Sequence, residues 1–279
     1  IAEIGSTWNR DTPELSKQAT LDSIRGVAEC GADIVKFQML TSEGPWSKER
    51  APDKWEATRP YWLPPEWIAD LREATWDAGV QLWLSFFDIG SVNENAMLCS
   101  GLKLASGEMT GASLLLLMAT AEQARRLQIP LAISTGTHID EEVARALGWL
   151  EPYGVDLILM NCVSKYPADE ADYDLLWPLK YRGRVTLGLS DHTVKPGGLT
   201  GRAVELGYTY FEKHFQLDDA PSNPDFNHSL FPAMFKRYVE TIRLAELRWL
   251  GGEKQLAAGE ESERVWMHRG SDGKRLRDD

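Results

Sequence analysis

Short apolar runs alternate with amphipathic stretches along most of the chain. Eight apolar runs predict strands; they lie at 1–5, 33–40, 81–87, 102–106, 130–135, 155–162, 184–193 and 208–215. Eight stretches with helical spacing predict helices; they lie at 13–30, 65–79, 91–99, 112–127, 139–150, 170–180, 196–207 and 232–250, and 170–180 has the weakest pattern. Strict alternation implies parallel strands with right-handed crossovers. Eight such units predict an α/β fold, a (β/α)8 TIM barrel in a single domain.

The alternative to a barrel is a doubly wound open sheet, but its usual glycine-rich phosphate turn is missing after the first strand. We therefore expect residues 1–250 to form one barrel domain and residues 251–279 a charged C-terminal extension. One connection is unusually long: residues 41–65 carry Trp46, Trp55 and Trp62. In a compact domain a segment of this length predicts a lid or binding loop. The alternative is a loop that packs on the barrel rim.

Composition narrows the class of partner. The formal net charge of −12 over 279 residues argues against nucleic acid or an anionic membrane as a partner. The longest apolar run, at 111–121, is too short to cross a bilayer. The three cysteines are an odd number without CxxC spacing, which predicts buried free thiols in a reducing compartment. We therefore expect a cytoplasmic protein that needs a locally basic pocket to bind an anion.

Two neighbouring predicted strands end in histidines, His192 and His214. Because side chains alternate along a strand, Ser190 shares a face with His192, and Glu212 shares a face with His214. Parallel strands bring both imidazoles to the carboxyl end of the barrel, where TIM barrels bind ligands. The pair predicts a metal site or a phosphate pocket. The alternative is two satisfied histidines without a ligand.

A lysine on the second strand, Lys36, is predicted to point into the barrel. An unpaired buried charge is costly, so this lysine predicts a phosphate or carboxylate ligand. Hydroxyl groups at other strand ends would support the anion; they belong to Ser134, Thr135, Ser164 and Ser190. The alternative for Lys36 is an ion pair with Glu3 or Glu212.

Eight short motifs follow one another in a fixed order over roughly residues 1–250. They are Ile1 to Gly5; Gly31-Ala32-Asp33 with Val35 to Gln38; Lys103 with Ser106-Gly107-Glu108; Ser134-Thr135-Gly136; Cys162 to Pro167; Leu189 to Thr193; Glu212 to Phe215; and Pro224-Asp225. In this order they resemble the sialic acid synthase (N-acetylneuraminate synthase) family. Members of that family condense phosphoenolpyruvate with an acylated aminosugar to form a nonulosonic acid, and they release phosphate.

The resemblance implies a role for each matching residue. His192 and His214 are expected to bind a divalent metal, usually Mn²⁺ in this family, and the donor types also suit Zn²⁺, Co²⁺ or Fe²⁺. Glu3, Lys36 and Asp225 are the expected catalytic residues, with Lys36 also in the phosphoenolpyruvate site. The expected substrate-binding residues are Gln38, Ser106, Ser134, Thr135, Ser164, Tyr166 and Ser190. The family precedent also implies a homodimer.

The chain departs from the family pattern in three places. Thr7-Trp8-Asn9-Arg10 stands where Asn-His-Asn-Gly is usual, so the acceptor is not expected to be the common N-acetylmannosamine. Asn223 stands where glycine usually precedes Pro224-Asp225. Many members carry a small C-terminal antifreeze-like domain over the site of a dimer partner, for which residues 251–279 are too few. Either the chain is a fragment, or the site is covered by other means, for which the segment 41–65 is the candidate.

Two other functions remain open from the sequence. One is a different metal-dependent TIM barrel, such as a sugar isomerase or an amidohydrolase. Amidohydrolases usually carry a His-x-His pair on the first strand, where this chain has Glu3. The other is a catalytically inactive barrel that binds a sugar or a phosphate. A synthase is distinguished from both because it needs phosphoenolpyruvate, an aminosugar and a metal together.

Overall fold

Eight parallel strands close into a barrel, with helices between them, in a computed structural model that describes residues 1–195, 198–249, 256 and 258–267. The strands are β1 (Ala2–Glu3), β2 (Ile34–Met39), β3 (Gln81–Phe86), β4 (Gly101–Leu104), β5 (Leu131–Ser134), β6 (Leu157–Cys162), β7 (Thr186–Asp191) and β8 (Tyr210–His214). Each strand pairs with the next in the sequence, and β8 pairs with β1. The predicted (β/α)8 barrel is therefore confirmed, and the open-sheet alternative is excluded.

Seven of the eight predicted helices are present at bounds close to those predicted, and the described residues form two further helices, at 52–58 and 260–267. The helices are α1 (Pro13–Glu29), α2 (Pro52–Thr58), α3 (Ile68–Asp77), α4 (Ile89–Asn95), α5 (Leu114–Leu127), α6 (Asp140–Leu150), α7 (Gly198–Glu205), α8 (Pro232–Trp249) and α9 (Glu260–Met267). Local sequence explains several of their ends. For example, the Thr12 side chain accepts a hydrogen bond from the backbone of Leu15 at the start of α1, and Pro13 occupies the first turn.

The helix predicted at 170–180 is wrong. The chain there forms two short 3-10 turns, Glu170–Asp172 and Trp177–Tyr181. Pro178 lacks the N–H that an α-helix would use, and the side chain of Asp174 accepts a hydrogen bond from the backbone of Leu176 at 2.8 Å. Side chains that bond the nearby backbone in this way compete with helix formation.

The core consists of two groups of buried apolar residues, one outside the barrel wall and one inside the barrel. The larger group lies between strands and helices. The smaller one lies inside the barrel and consists of Ile34, Trp83, Ala132, Ile158 and Met160. A Cβ on Gly101 would lie 2.1 Å from Trp83 Cε2, so this glycine makes room for the indole. Apolar packing closes the amino end of the barrel and leaves the polar side chains at the carboxyl end.

The segment 41–65 is not a structureless loop. It contains α2 and the 3-10 turn Arg59–Tyr61, and the rings of Trp55 and Trp62 meet edge to face at 4.9 Å. Trp46 is 41% exposed. The role of this segment as a lid stays a prediction.

Several expectations from composition meet a structural observation. Cys30, Cys99 and Cys162 are buried free thiols, as predicted. Among the described residues, no helix combines the length and the apolar character needed to span a membrane. Most of the predicted extension 251–279, together with Pro196 and Leu250 at the ends of predicted helices, lies outside the described residues. The homodimer and the cytoplasmic location stay predictions.

Candidate active site at the carboxyl ends of the strands

Four charged side chains face one another inside the barrel: Glu3, Lys36, Lys103 and Glu212, each at most 4% exposed. Register places Glu3 opposite both Lys36 and His214. Lys36 is ion-paired with Glu3, and its Nζ lies 3.8 Å from Glu212 Oε2. Lys103 Nζ lies 3.3 Å from the same oxygen. Two cations therefore balance two anions, and the ion-pair alternative for Lys36 is present in the structure.

This network shifts the titration of its members. Burial lowers the pKa of Lys36 to about 7, because the ammonium loses its hydration, and Glu212 opposes the shift. Burial raises the pKa of Glu212, but the ammonium groups of Lys103 and Lys36 outweigh it and hold that pKa far below its usual range. Glu212 is therefore a fixed anion, while Lys36 is a cation that neutral pH partly discharges.

A cavity of about 70 Å³ lies above these charges. Its walls include nine of the predicted residues, which are Glu3, Lys36, Gln38, Ser106, Ser134, Tyr166, Ser190, His192 and His214. Lys103, Cys162 and Glu212 also line it. The structure thus brings most of the predicted side chains to one cavity, although they come from seven different strands or strand ends.

The hydroxyl groups around the cavity differ in how far they are already engaged. Ser190 Oγ donates to Glu212 Oε1 at 3.0 Å, and Ser106 Oγ lies 3.0 Å from Ser164 Oγ. The buried Ser134 Oγ has no hydrogen-bond partner among the described residues. Thr135 Oγ1 instead bridges β5 and β6, since it donates to Met160 O and accepts from Cys162 N. The hydroxyl of Ser134 is the one most available to a ligand.

Three imidazoles converge at one side of the cavity. The ring centroids of His192 and His214 are 5.7 Å apart, and that of His228 lies 4.5 Å from His214. Tyr166 covers two of them, at 4.3 Å from His192 and 4.9 Å from His228. His192 Nδ1 lies 2.6 Å from the carbonyl oxygen of Val163, which fixes that ring. Burial lowers the pKa of His192 to about 4 and that of His214 well below its usual value.

A carboxylate, Asp225, completes this group. Its Oδ2 accepts hydrogen bonds from the backbone N–H and the hydroxyl of Ser6, at 2.6 and 2.7 Å. Its Oδ1 lies 3.2 Å from His228 Nε2 and 3.8 Å from His214 Nδ1. Burial raises the pKa of Asp225, but His214, His228 and Ser6 together hold it far below its usual range. Asp225 is therefore ionised at neutral pH, with one oxygen held by Ser6 and the other beside the imidazoles.

The approach of Asp225 requires a glycine on β1's loop. Gly5 has φ +52°, and a Cβ on it would lie 2.3 Å from Asp225 Oδ2. Both the left-handed backbone and the close contact exclude a side chain there. This explains why a motif at the start of the chain and one near residue 225 belong to the same site.

The donor set of His214, Asp225 and His228 fits a divalent metal. One ligand atom from each lies within 4.8 Å of the others, and the buried His214 Nδ1 and His228 Nε2 both face Asp225 Oδ1, at 3.8 and 3.2 Å. Neutral imidazoles and a carboxylate suit first-row divalent ions. Of the two predicted ligands, His214 belongs to this set, whereas His192 lies beside it with Nε2 at 3.3 Å from Ser190 Oγ.

Sequence reasoning missed His228, and it left Lys103 and Glu212 out of the predicted site residues. A signal for His228 was available, because it stands three residues after Asp225 and the two share the 3-10 turn Phe226–His228 and its cap. The structure shows how the altered first loop is held, and its effect on the acceptor stays a prediction. Trp8 is buried and packs edge to face on Trp67 at 5.8 Å. Arg10 donates to the carbonyl oxygen of Thr7 at 2.8 Å.

Comparison with known proteins gives a consistent relationship. The sequence model of the NeuB family matches residues 23–254. The N,N'-diacetyllegionaminic acid synthase of Legionella pneumophila is 31% identical over 276 residues, covering 91% of this chain and 74% of that protein. The pseudaminic acid synthase of Helicobacter pylori is 30% identical over 285 residues, covering 95% of this chain and 76% of that protein.

A solved structure supports the fold. The N-acetylneuraminic acid synthetase of Leptospira borgpetersenii, crystallised with citrate, superposes with a TM-score of 0.79. It is 24% identical, and the match covers 95% of this chain and 89% of that one. At this identity the similarity establishes the shared barrel and nothing finer.

Proposed function

The chain belongs to the NeuB family, and from that premise we propose that it condenses phosphoenolpyruvate with the open-chain aldehyde of an acylated aminosugar. The product is a nonulosonic acid, and phosphate is released. C3 of phosphoenolpyruvate forms a bond to the aldehyde carbon, water adds at C2 of the resulting cation, and the C2–O bond to phosphate breaks. The observation that carries the proposal is a cavity with buried lysines on its floor and an imidazole–carboxylate cluster at its side.

The lysines and hydroxyls are assigned to the anionic donor. Lys36 and Lys103 both line the cavity, and each ammonium is already balanced by a carboxylate. A phosphate or carboxylate that enters would share these cations with Glu3 and Glu212. Ser134 supplies a hydroxyl with no other described partner. Fixed donors of this kind hold an anion in place and stabilise charge on the leaving phosphate.

The imidazole–carboxylate cluster is assigned to a divalent metal, Mn²⁺ as the family resemblance implies. His214, Asp225 and His228 would hold the metal. The ring of His192 lies beside this set, with its centroid 5.7 Å from that of His214. A bound metal would supply Lewis acidity toward the aldehyde oxygen. Ser6 keeps Asp225 oriented toward the imidazoles, and the ring of Tyr166 shields them from water.

Two carboxylates are assigned to moving protons and directing water. Asp225 is ionised and lies beside the imidazoles, so it would lie near an aldehyde held at the metal. Glu3 lines the cavity beside Lys36, and its Oε1 accepts the N–H of Gly5 at 2.7 Å. Its position near the donor suits it to directing the water that adds at C2.

The experiment is a phosphate-release assay with phosphoenolpyruvate, a panel of acylated aminosugars, and Mn²⁺ present or removed by a chelator. We expect release only when both substrates and the metal are present. His214→Ala should abolish it, whereas Arg202→Met/Glu205→Gln, which removes an exposed ion pair on α7, should retain it. Full metal-dependent activity in His214→Ala would falsify the metal assignment. Wild-type protein that releases no phosphate with any aminosugar would overturn the proposed condensation and favour a barrel that only binds its ligand.

A further inference from the structure

A second buried ion pair lies on the outward face of β7 and β8, the two strands that lead to His192 and His214. Asp191 and Lys213 are register partners on β7 and β8, and their side chains are 1% and 0% exposed. Lys213 Nζ lies 3.1 Å from Asp191 Oδ1. Because side chains alternate along a strand, both point away from the cavity that Ser190 and Glu212 line. The pair therefore lies between the barrel and its helices, outside the site described above.

The pair also holds the turn that follows β7. Lys213 Nζ donates to the carbonyl oxygen of Thr193, and Asp191 Oδ1 accepts the backbone N–H of the same residue at 2.8 Å. The ring of Tyr238 on α8 packs over the ammonium, at 5.6 Å from its centroid. Lys213 thus ties the end of β8 to the residues on both sides of His192.

Each member of the pair immediately precedes one of the two imidazoles: Asp191 precedes His192, and Lys213 precedes His214. We propose that the Asp191–Lys213 ion pair is a positioning device that sets the spacing between His192 and His214. A cross-strand tie one peptide bond from each imidazole limits both sliding of β7 against β8 and rotation of the turn at His192. This positioning role rests on the proposed function, because that function is what makes the spacing between the two imidazoles important.

Packing alone does not account for charged residues at these two positions. The other residues that β7 and β8 direct outward are apolar, namely Leu187, Leu189 and Phe211. Buried ion pairs cost desolvation, and apolar residues of similar volume often serve stability as well or better. Asp191 Oδ2 is moreover buried without a hydrogen-bond partner among the described residues. The ion pair adds a directional contact between the two strands, which an apolar pair would not provide.

The test measures both the stability of the double variant Asp191→Asn/Lys213→Met and the placement of its imidazole rings. This double variant removes both charges together, so neither is left buried alone, and the asparagine oxygen still accepts the Thr193 N–H. We expect a thermal midpoint close to that of the wild type. We also expect shifted ring resonances for His192 and His214 in the metal-free protein, with that of His138 unchanged. Co²⁺ affinity, measured by titration of its visible absorption, should fall by about 10- to 100-fold.

A matched control removes an exposed pair from α7, Arg202→Met/Glu205→Gln, whose atoms lie 2.9 Å apart. It should alter neither the resonances nor the Co²⁺ affinity. Asp191→Asn alone, which keeps Lys213, is scored in the same way in case the double variant does not fold. Wild-type resonances and Co²⁺ affinity in a folded variant overturn the proposal. Failure of both variants to fold assigns the pair to barrel stability and overturns it as well.

The resonance measurement separates this proposal from the proposed function. It uses metal-free protein and no substrate, so it reports ring placement whether or not the chain is a synthase. A wild type that binds no Co²⁺ and releases no phosphate overturns the proposed function alone, and the resonances still decide the role of the ion pair. A wild type that is active, with unchanged rings in the folded double variant, overturns the positioning role alone.

Discussion

Replacement of Lys36 by methionine perturbs the charge balance inside the barrel. In the wild type, the ammonium groups of Lys36 and Lys103 compensate the carboxylates of Glu3 and Glu212, and all four side chains are buried. Methionine has a similar length and no charge, so the variant leaves two carboxylates to share one ammonium. Glu3 loses its ion pair, while Glu212 keeps Lys103 at 3.3 Å.

The expected loss of stability follows from this imbalance. Removal of one partner from a buried ion pair costs about 3–5 kcal/mol, because the other charge remains without compensation. Unfolding entropy of about 2.1 cal/mol/K per residue converts this loss, for 279 residues, into a thermal midpoint lower by about 5–9 °C. The double variant Lys36→Met/Glu3→Gln restores one cation for one anion. It should recover more than half of the lost stability.

Urea unfolding and scanning calorimetry measure both variants against the wild type at pH 6, below the Lys36 pKa of about 7, where its ammonium is charged. Phosphate release is measured in parallel, and we expect it to be absent in both variants because Lys36 lines the cavity. The glutamine in the double variant still offers an oxygen to the N–H of Gly5. A single variant as stable as the wild type would refute the charge-balance argument. So would a double variant that is less stable than the single one.

Three further predictions follow, two from local geometry and one from the pKa of Lys36. Gly101→Ala should lower the free energy of unfolding by about 1–3 kcal/mol in urea titrations, because its Cβ would overlap the buried indole of Trp83; unchanged stability contradicts this. Gly136→Ala should lower kcat/KM for phosphoenolpyruvate by up to about 100-fold, because its Cβ would lie 2.2 Å from Ser164 Oγ. Wild-type values of kcat/KM in steady-state kinetics would refute this prediction. Inhibition by sulfate should weaken as pH rises through about 7, because burial lowers the pKa of Lys36 to about 7 and its positive charge is lost above that pH. An inhibition constant that does not change with pH would exclude Lys36 as an anion-binding cation.

One control serves both glycine substitutions. Gly148 lies in α6, and a Cβ on it would meet no atom within 4 Å. Gly148→Ala should be neutral or more stable by about 0.5–1 kcal/mol, as expected for alanine in an exposed part of a helix. Its kinetic constants should equal those of the wild type.

The fold was predictable because its signal is local and repeated. Each strand and helix has its own apolar period, and strict alternation leaves few topologies for eight units. The failure at 170–180 has the same local origin: Pro178 and nearby aspartates outweigh a weak helical pattern. Much of the cavity was predictable as well, since strand alternation alone decides that Lys36, Ser190 and Glu212 point inward.

Other parts of the site depend on distances that no local pattern contains. The approach of Asp225 to Gly5 joins residues from opposite ends of the chain. The approach of His228 to His214 depends on how the turn after β8 folds back over the end of that strand. Such contacts are decided by how β8 and the turn after it close against β1 when the barrel forms.

The sequence by itself determined the alternating elements, the inward face of each strand and the chemical types gathered at the strand ends. Only the tertiary structure decided which of these side chains meet: that Lys36 is paired with Glu3, and that Asp225 and His228 lie beside His214. The physical reason is that backbone periodicity depends on neighbours in the chain. Ion pairing and metal-ligand geometry depend on separations of a few ångströms, which closure of the barrel alone sets.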